Sequence, residues 1–244
     1  MGFVPRQCRR GGRRYGNGIF ISLTAKAKAH KTNSLKGNKM ISDKEKNEGW
    51  VSLFDGKTLN GWSMTGKPEG WVVEDGCILC INQGGRYLYT LDQYGDFVLS
   101  IDFKIEAGAN SGVFLRWTDL NDPVQTGIEI QILDTYGNEP PRKNDCGAIY
   151  DMVAPTRNTC KPAGQWNTAV ITCDDNIIAV ELNDEKIAEM DLNLWTEPGK
   201  SPDGTGNKFK QAYKDMARKG RIGLQDHGGK VWFRNIKLKP IKKA

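Results

Sequence analysis

Isoleucines alternate with Glu129 and Gln131 in the segment GIEIQILD (127–134). In a β-strand this alternation places the isoleucines on one face and the two polar side chains on the other. The apolar face fits a hydrophobic core. A carboxylate beside an amide on the opposite face is suited to proton transfer or to hydrogen bonding with a polar ligand.

Two further segments carry polar groups in the same pattern. In SGVFLRW (111–117), strict alternation places Arg116 on the face opposite Trp117. In RIGLQDHG, it places Gln225 and His227 opposite an apolar set. Each segment therefore offers one face to a core and displays a hydrogen-bonding group on the other.

The elements that must position these groups are short strands separated by turns. GDFVLSIDFKIE alternates cleanly, GWVVEDGCILCI contains a hairpin turn at EDG, and CDDN joins two strands later in the chain. Only KFKQAYKDMARKG (208–220) has the composition of a helix, and it lies in a polar insertion. The pattern predicts an all-β fold, a two-sheet antiparallel sandwich with one short helix in the insertion.

Charge divides the chain into two parts. Residues 1–48 hold 12 Lys and Arg against 3 Asp and Glu, which leaves 23 against 26 in the rest. We interpret residues 1–45 as a basic leader or disordered tail and residues 46–244 as the folded domain. The short apolar stretch GIFISLTAKA favours export to the periplasm or the cell exterior, with a cytoplasmic location as the alternative. The mildly acidic domain indicates no nucleic-acid partner, and no apolar run is long enough for a transmembrane segment.

Several motifs, in this order, resemble the 3-keto-disaccharide hydrolase-like family, whose fold is a jelly-roll sandwich related to the concanavalin A-like lectins and glucanases. The resemblance covers about residues 49–240. The motifs are GWVSLFDGKTLNGW, GANSGVFLR, GIEIQILD, CGAIYDMVAP, GQWN and GRIGLQDHGGKVWFRNIKL.

The resemblance implies a concave sheet that binds a small carbohydrate. We expect one set of polar side chains to line this sheet together: Arg116, Glu129, Gln131, Gln225 and His227, with Asn110 and Ser111 at its rim. Aromatic rings could stack on the sugar, and a helical insertion could add two more contacts. The candidate rings are Trp71, Tyr89, Trp117, Tyr150 and Trp195, and the insertion residues are Lys210 and Tyr213.

The implied chemistry acts on an oxidised sugar. A ketone at carbon 3 acidifies the hydrogen on carbon 2, so that a base removes this proton and the glycosidic oxygen leaves by β-elimination; water then adds to the product. We expect His227 to be the base or a metal ligand, with Glu129 as the alternative base. Arg116, or a divalent metal ion bound by Glu129 and His227, would stabilise the enolate.

Two alternatives stay open at this point. A non-catalytic, lectin-like module would need only the sugar groove. A conventional retaining glycosidase needs two carboxylates, but Gln131 occupies the middle position of the glucanase pattern, and Asp134 joins the face of Glu129 only if a bulge intervenes. Cys146 and Cys160 flank a loop, and a disulfide between them is compatible with export.

Overall fold

A computed structural model describes residues 41–243, and strands predominate in this range. Residues 1–40 of the predicted leader lie outside the described residues. Ser42 and Glu45 form a capping box that starts a short helix. Lys237 donates a hydrogen bond to the Glu45 carboxylate, which attaches this helix to the sandwich.

The described residues contain thirteen strands, two short α-helices and three 3-10 turns. None of these helices has the length and apolar composition that a bilayer-spanning helix requires. The helices are α1 (Asp43–Asn47) and α2 (Pro123–Thr126), and the 3-10 turns are Pro68–Gly70, Leu192–Leu194 and Tyr213–Asp215. The strands are β1 (Val51–Ser52), β2 (Trp62–Met64), β3 (Trp71–Glu74), β4 (Cys77–Cys80), β5 (Tyr87–Thr90), β6 (Phe97–Ile105), β7 (Asn110–Trp117), β8 (Ile128–Leu133), β9 (Trp166–Asp174), β10 (Ile177–Leu182), β11 (Glu185–Asp191), β12 (Arg221–Gln225) and β13 (Val231–Pro240).

The strands form two antiparallel sheets, which confirms the predicted all-β sandwich. The large sheet has eight strands in the order β11-β10-β9-β6-β13-β4-β3, with β1 paired to β13. The small sheet has five strands in the order β2-β5-β12-β7-β8. Strand β12 lies between β5 and β7, which both precede it by more than a hundred residues, so segments from three parts of the chain meet on one face.

The core lies between the sheets and follows the predicted alternation. On β6, every second residue from Phe97 to Ile105 is at most 1% exposed. On β8, Ile128, Ile130 and Ile132 are at most 2% exposed. Because these isoleucines point inward, Glu129 and Gln131 must point to the other face of the small sheet.

Strand β7 contains an extra residue near its end. Phe114 pairs with Gly223 and Trp117 pairs with Arg221, so three steps along β7 match two along β12. Arg116 accommodates this bulge with a φ of +51°. Trp117 therefore joins the face of Phe114, and their ring centroids are 6.1 Å apart. Strict alternation predicts that Arg116 shares the outer face with Phe114 and Glu129, and this prediction was wrong because the alternation shifts at the bulge.

The insertion before β12 lacks the predicted helix and contains only the turn Tyr213–Asp215. Hydrogen bonds to other segments hold the preceding residues extended. Lys210 N donates to Gln125 Oε1 over 2.8 Å, and Gly199 N donates to Phe209 O over 2.7 Å. Tertiary contacts thus override a local composition that favours a helix.

The cysteines of the described residues are buried thiols without disulfide bonds. Cys77 and Cys80 belong to the fully buried β4. Cys146 and Cys160 are neighbours whose thiols hydrogen-bond to one another, and the pKa of Cys146 is raised by that bond and by burial. The structure therefore brings this pair together as two thiols.

Candidate active site

Glu129 and Gln131 lie on the outer face of the small sheet, yet they are only 7% and 4% exposed. Their backbone is held on both sides. Strand β7 pairs with β8 on one side, and on the other Gly147 N donates to Gln131 O over 2.8 Å while Tyr150 N donates to Glu129 O over 2.9 Å. The loop that carries Tyr150 thus extends the sheet and walls in the two polar side chains.

Gly112 on β7 makes room for the Glu129 side chain. In the pairing of β7 with β8, Gly112 lies opposite Gln131, and Phe114, two residues further along β7, lies opposite Glu129. A Cβ atom at position 112 would lie 2.4 Å from Glu129 Oε1 and 3.0 Å from Glu129 Cγ. These distances are too short for non-bonded atoms, so only glycine permits the observed position of the carboxyl group.

The Glu129 carboxyl group has an unusual environment for a buried acid. No group among residues 41–243 donates a hydrogen bond to it. Burial raises its pKa to about 7, and the positive charge of Lys208 opposes this shift. An acid with this pKa exchanges protons near neutral pH, as a general base or acid must.

A line of hydrogen bonds connects Gln131 to His227 through Asn110. Gln131 Nε2 donates to Asn110 Oδ1 over 3.2 Å, so the amide nitrogen of Asn110 faces His227. This nitrogen, Nδ2, lies 2.6 Å from His227 Nδ1. Nδ1 must accept this hydrogen bond, which places the proton of the neutral ring on Nε2. In this state His227 is a donor at Nε2, and it is exposed.

Gln225 and Tyr87 lie at the bottom of the site, beside this chain of hydrogen bonds. Gln225 is 7% exposed at the end of β12 and hydrogen-bonds to the Tyr87 side chain from β5. Burial raises the pKa of the Tyr87 phenol, with a smaller contribution from the charge of Glu129. The ring of Tyr87 stands edge-on to Phe114 at a centroid distance of 5.3 Å. Tyr87 is thus a fixed neutral hydrogen-bonding group.

Lys208 brings a positive charge to the site. Its Nζ lies 4.0 Å from the centroid of the Tyr150 ring. A helix in this insertion would place Lys210 at the site instead, but the segment is not helical. Lys208 lines the site and Lys210 does not, because hydrogen bonds between the loop and Gln125 fix the path of this segment.

These groups enclose a polar hollow of about 210 Å³ on the small sheet, which we name the Glu129 hollow. Six of its lining residues were predicted, and Tyr87, Val124 and Lys208 were missed. Predicting Tyr87 and Lys208 would have required the strand order, because only this order shows that β5 and the insertion lie beside the site. The lining residues are Tyr87, Asn110, Val124, Glu129, Gln131, Tyr150, Lys208, Gln225 and His227.

Arg116 does not line this hollow. Its side chain is fully buried at the end of the sandwich, where the guanidinium donates to the backbone oxygens of Gly95 and Asp175 and to the carboxylate of Asp96 at 3.0 Å. Asp175 belongs to the turn between β9 and β10, so Arg116 connects the two sheets. The expectation that it faces the sugar with Glu129 was wrong because of the bulge in β7.

Four other predicted residues also lie outside the Glu129 hollow. Ser111 is fully buried, and its hydroxyl donates to Gln225 O over 2.6 Å. Trp117 is fully buried beneath Tyr87 and Tyr89. Lys210 is exposed, and Tyr213 packs between the rings of Trp195 and Phe209.

Of the remaining rings, Trp71 and Trp195 are buried in the core, at 3% and 5% exposure. Tyr89 lies half-buried beyond Tyr87 on the same face of the small sheet. Only Tyr150 among the predicted rings lines the Glu129 hollow itself.

Among the described residues, neither a second carboxylate nor a complete set of metal ligands lines the hollow beside Glu129. Asp134 is turned away and accepts a hydrogen bond from Gly108 N over 2.8 Å. Within residues 41–243, no three His, Cys, Asp or Glu side chains are grouped as a metal site requires. Glu129 and His227 would therefore offer an ion two protein ligands.

The comparisons with known proteins agree with this architecture. Residues 49–239 match the model of the 3-keto-alpha-glucoside-1,2-lyase-like domain. The chain is 31% identical to a 3-keto-disaccharide hydrolase of Bacteroides thetaiotaomicron, over 80% of this chain and 79% of that protein.

Two solved structures from Parabacteroides distasonis, both candidate glycosyl hydrolases, are also similar. The first has a TM-score of 0.72 at 37% identity and covers 79% of this chain and 99% of its own. The second has a TM-score of 0.70 at 29% identity, and the match covers 85% of this chain and 100% of that chain.

Proposed function

The chain belongs to the 3-keto-alpha-glucoside-1,2-lyase-like family, and from this premise we propose that it cleaves 3-keto-glycosides by elimination, with Glu129 as the base. The observation that carries the proposal is the Glu129 carboxyl group, which is buried, without a hydrogen-bond donor and with a pKa of about 7. It stands in a hollow lined by amides, phenols and one amine. Amides and phenols are suited to binding sugar hydroxyls.

The first step is the transfer of a proton from carbon 2 of the sugar to Glu129. The C–H bond breaks, and its electron pair moves into the enolate of the neighbouring ketone. A positive charge near the enolate oxygen lowers the barrier of this step. Lys208 supplies that charge in our proposal, since it lines the hollow and acts electrostatically on Glu129.

The second step is the loss of the glycosidic oxygen from carbon 1. The enolate electrons form the double bond between carbons 1 and 2, and the leaving oxygen takes a proton. His227 is the donor in our proposal, because Asn110 engages its Nδ1 and leaves the proton on Nε2. Water then adds across the double bond, so that elimination and hydration together amount to hydrolysis.

Our proposal exchanges two roles that the residues alone suggested. Glu129 takes the role of base in place of His227, since its pKa and its lack of a bound donor suit proton removal. Lys208 takes the role of Arg116, whose guanidinium is fully engaged elsewhere. Gln131, Gln225 and Asn110 keep their predicted role as contacts for sugar hydroxyls, and Tyr150 keeps its predicted role as a ring that stacks on the sugar.

The proposal is tested by incubating the protein with 3-keto-trehalose and, separately, with trehalose in deuterated water. We expect cleavage of the keto sugar alone, with deuterium at carbon 2 of the oxidised product and transient ultraviolet absorbance of the enone. A reaction without protein corrects for spontaneous exchange. Cleavage without deuterium at carbon 2 would contradict elimination, and binding without cleavage would indicate a lectin-like module.

A further inference from the structure

Two buried cysteines lie next to the wall of the Glu129 hollow, which consists of residues 147–150. Cys146 directly precedes Gly147, whose amide donates to Gln131 O over 2.8 Å. Cys160 belongs to the later segment that leads into β9. Both cysteine side chains are part of the hydrophobic core, at 2% and 4% exposure. The pair thus lies where the wall meets a neighbouring segment of the sandwich.

Hydrogen bonds through Thr135 hold the two cysteines close together. Cys146 N donates to Thr135 Oγ1 over 3.1 Å, and the Asn158 side chain donates to Thr135 O. Asn158 Oδ1 in turn accepts a hydrogen bond from Cys160 N over 3.0 Å. Both backbones are therefore fixed to Thr135, and the two thiols hydrogen-bond to each other.

The two thiols lose few interactions when they are oxidised. Cys146 donates to the sulfur of Cys160, and Cys160 Sγ donates to Lys161 O over 3.5 Å. Thiols are weak donors, so the loss of both hydrogens removes only weak hydrogen bonds. The bond from Cys146 also lowers the pKa of Cys160, which makes Cys160 the first of the two to act as a thiolate nucleophile.

We propose that Cys146 and Cys160 form a disulfide bond that ties the wall of the Glu129 hollow to the segment before β9. The oxidant is a low-molecular-weight disulfide such as glutathione disulfide. The Cys160 thiolate attacks one sulfur of this oxidant and releases one glutathione; Cys146 then attacks the Cys160 sulfur of the mixed disulfide and releases the second. The protein loses two hydrogen atoms, and the oxidant gains them as two thiols. The proposal does not depend on the proposed function.

The bond should stabilise the wall because it closes the loop formed by residues 146–160. A closed loop leaves the unfolded chain fewer conformations. It also restricts local opening of the folded protein. The amides of Gly147 and Tyr150, which donate to Gln131 O and Glu129 O, both lie within this loop and report such opening.

The test refolds the full chain from urea, either with glutathione disulfide or with a reductant. Cys8 is replaced by alanine in every protein, because its thiol would otherwise be a competing partner. Free thiols are then alkylated, and peptide mass spectrometry identifies bridged pairs. The test variant is Cys160→Ala. Cys173→Ala is the matched control, since Cys173 is also a buried thiol but lies near the far end of β9.

We expect a bridge between Cys146 and Cys160 in the oxidised protein, with a melting temperature higher by roughly 5–10 °C than in the reduced protein. Amide hydrogen exchange at Gly147 and Tyr150 should slow by about tenfold or more. Cys173→Ala should keep both differences, and Cys160→Ala should lose them.

The comparison of the two redox states in the parent protein needs no variant, so it decides the question even where Cys160→Ala does not fold. Two alkylated thiols at positions 146 and 160, in protein that has refolded with glutathione disulfide, would overturn the disulfide. A bridge that changes neither the melting temperature nor the exchange at Gly147 and Tyr150 would overturn its role in holding the wall.

Discussion

Two charged side chains are buried on neighbouring strands of the small sheet, and their surroundings are opposite in character. Arg116 on β7 is fully buried, and each part of its guanidinium donates to a fixed acceptor on Gly95, Asp96 or Asp175. Glu129 on β8 is 7% exposed, and no group in residues 41–243 donates a hydrogen bond to it. Burial alone therefore does not distinguish a structural charge from a chemical one.

The difference lies in what compensates each charge. A buried ion with matched partners keeps its charge and joins the elements that hold those partners. A buried carboxyl group without donors raises its pKa and becomes a proton acceptor near neutral pH. Both residues were predicted to be catalytic. We propose this role for Glu129 only, since Arg116 joins the two sheets instead.

Replacing Glu129 with glutamine should have the largest effect on activity. Loss of a general base lowers rates by about 10²–10⁴-fold, so we expect kcat/KM for 3-keto-trehalose to fall about 10³-fold. In the unaltered protein, kcat/KM should rise with pH as Glu129 ionises near its pKa of about 7. Steady-state rates between pH 5 and about 9, for both proteins, measure this profile.

The same substitution should change the pH dependence of stability. Glu129 has a pKa of about 7 when folded against a model value of 4.5, so the folded state binds the proton more tightly. The free energy of unfolding therefore falls as the pH rises through this interval, by roughly 3 kcal/mol in total. Glu129→Gln removes this loss, and urea titrations at both ends of the interval would show it. Equal slopes in both proteins would contradict the buried, unpaired carboxylate.

Arg116→Met should act on stability instead. Removing one partner of a buried ion pair costs up to about 3–5 kcal/mol. Here Asp96 keeps a second ion pair, with Lys243 at 3.2 Å, but the backbone oxygens of Gly95 and Asp175 lose their buried donor. The fraction that stays folded should retain its kcat, since Arg116 does not line the Glu129 hollow. Urea unfolding and active-site titration separate these quantities. A kcat reduced as strongly as in Glu129→Gln would reinstate Arg116 as part of the site.

The contrast between Arg116 and Glu129 also shows which features of the site can be predicted from the sequence. Alternation correctly assigned the faces of β6 and β8, because regular strands keep a period of two. The same rule failed at Arg116, because a bulge depends on how β7 pairs with β12, which are more than a hundred residues apart. Lys208 was missed for a related reason, since contacts with Gln125 and Gly199 decide the path of its loop.

A comparison of Lys208 with the nearby Lys210 tests the role of the positive charge at the site. Lys208→Met should lower kcat/KM about 10²-fold, as the loss of one stabilising group for developing negative charge implies. Because this lysine lowers the pKa of Glu129, its removal should also move the inflection of the pH profile to higher pH. Lys210→Met is the matched control, two residues away and exposed. The same loss of activity in both variants would contradict a specific role for Lys208.

Gly112→Ala should give the smallest and most local change. A methyl group at this position meets Glu129 Oε1 at 2.4 Å, so the carboxyl group must move towards solvent. Misplacing a catalytic group by about 1 Å costs up to about 10²-fold, and we expect a fall in kcat of about tenfold or more. Better hydration should also move the inflection of the pH profile to lower pH, opposite to the effect of Lys208→Met. Gly206→Ala is the control, because the nearest atom to its added Cβ lies 3.9 Å away. If Gly112→Ala lowers kcat without moving the inflection, the position of the carboxyl group matters for catalysis but its burial does not set its pKa.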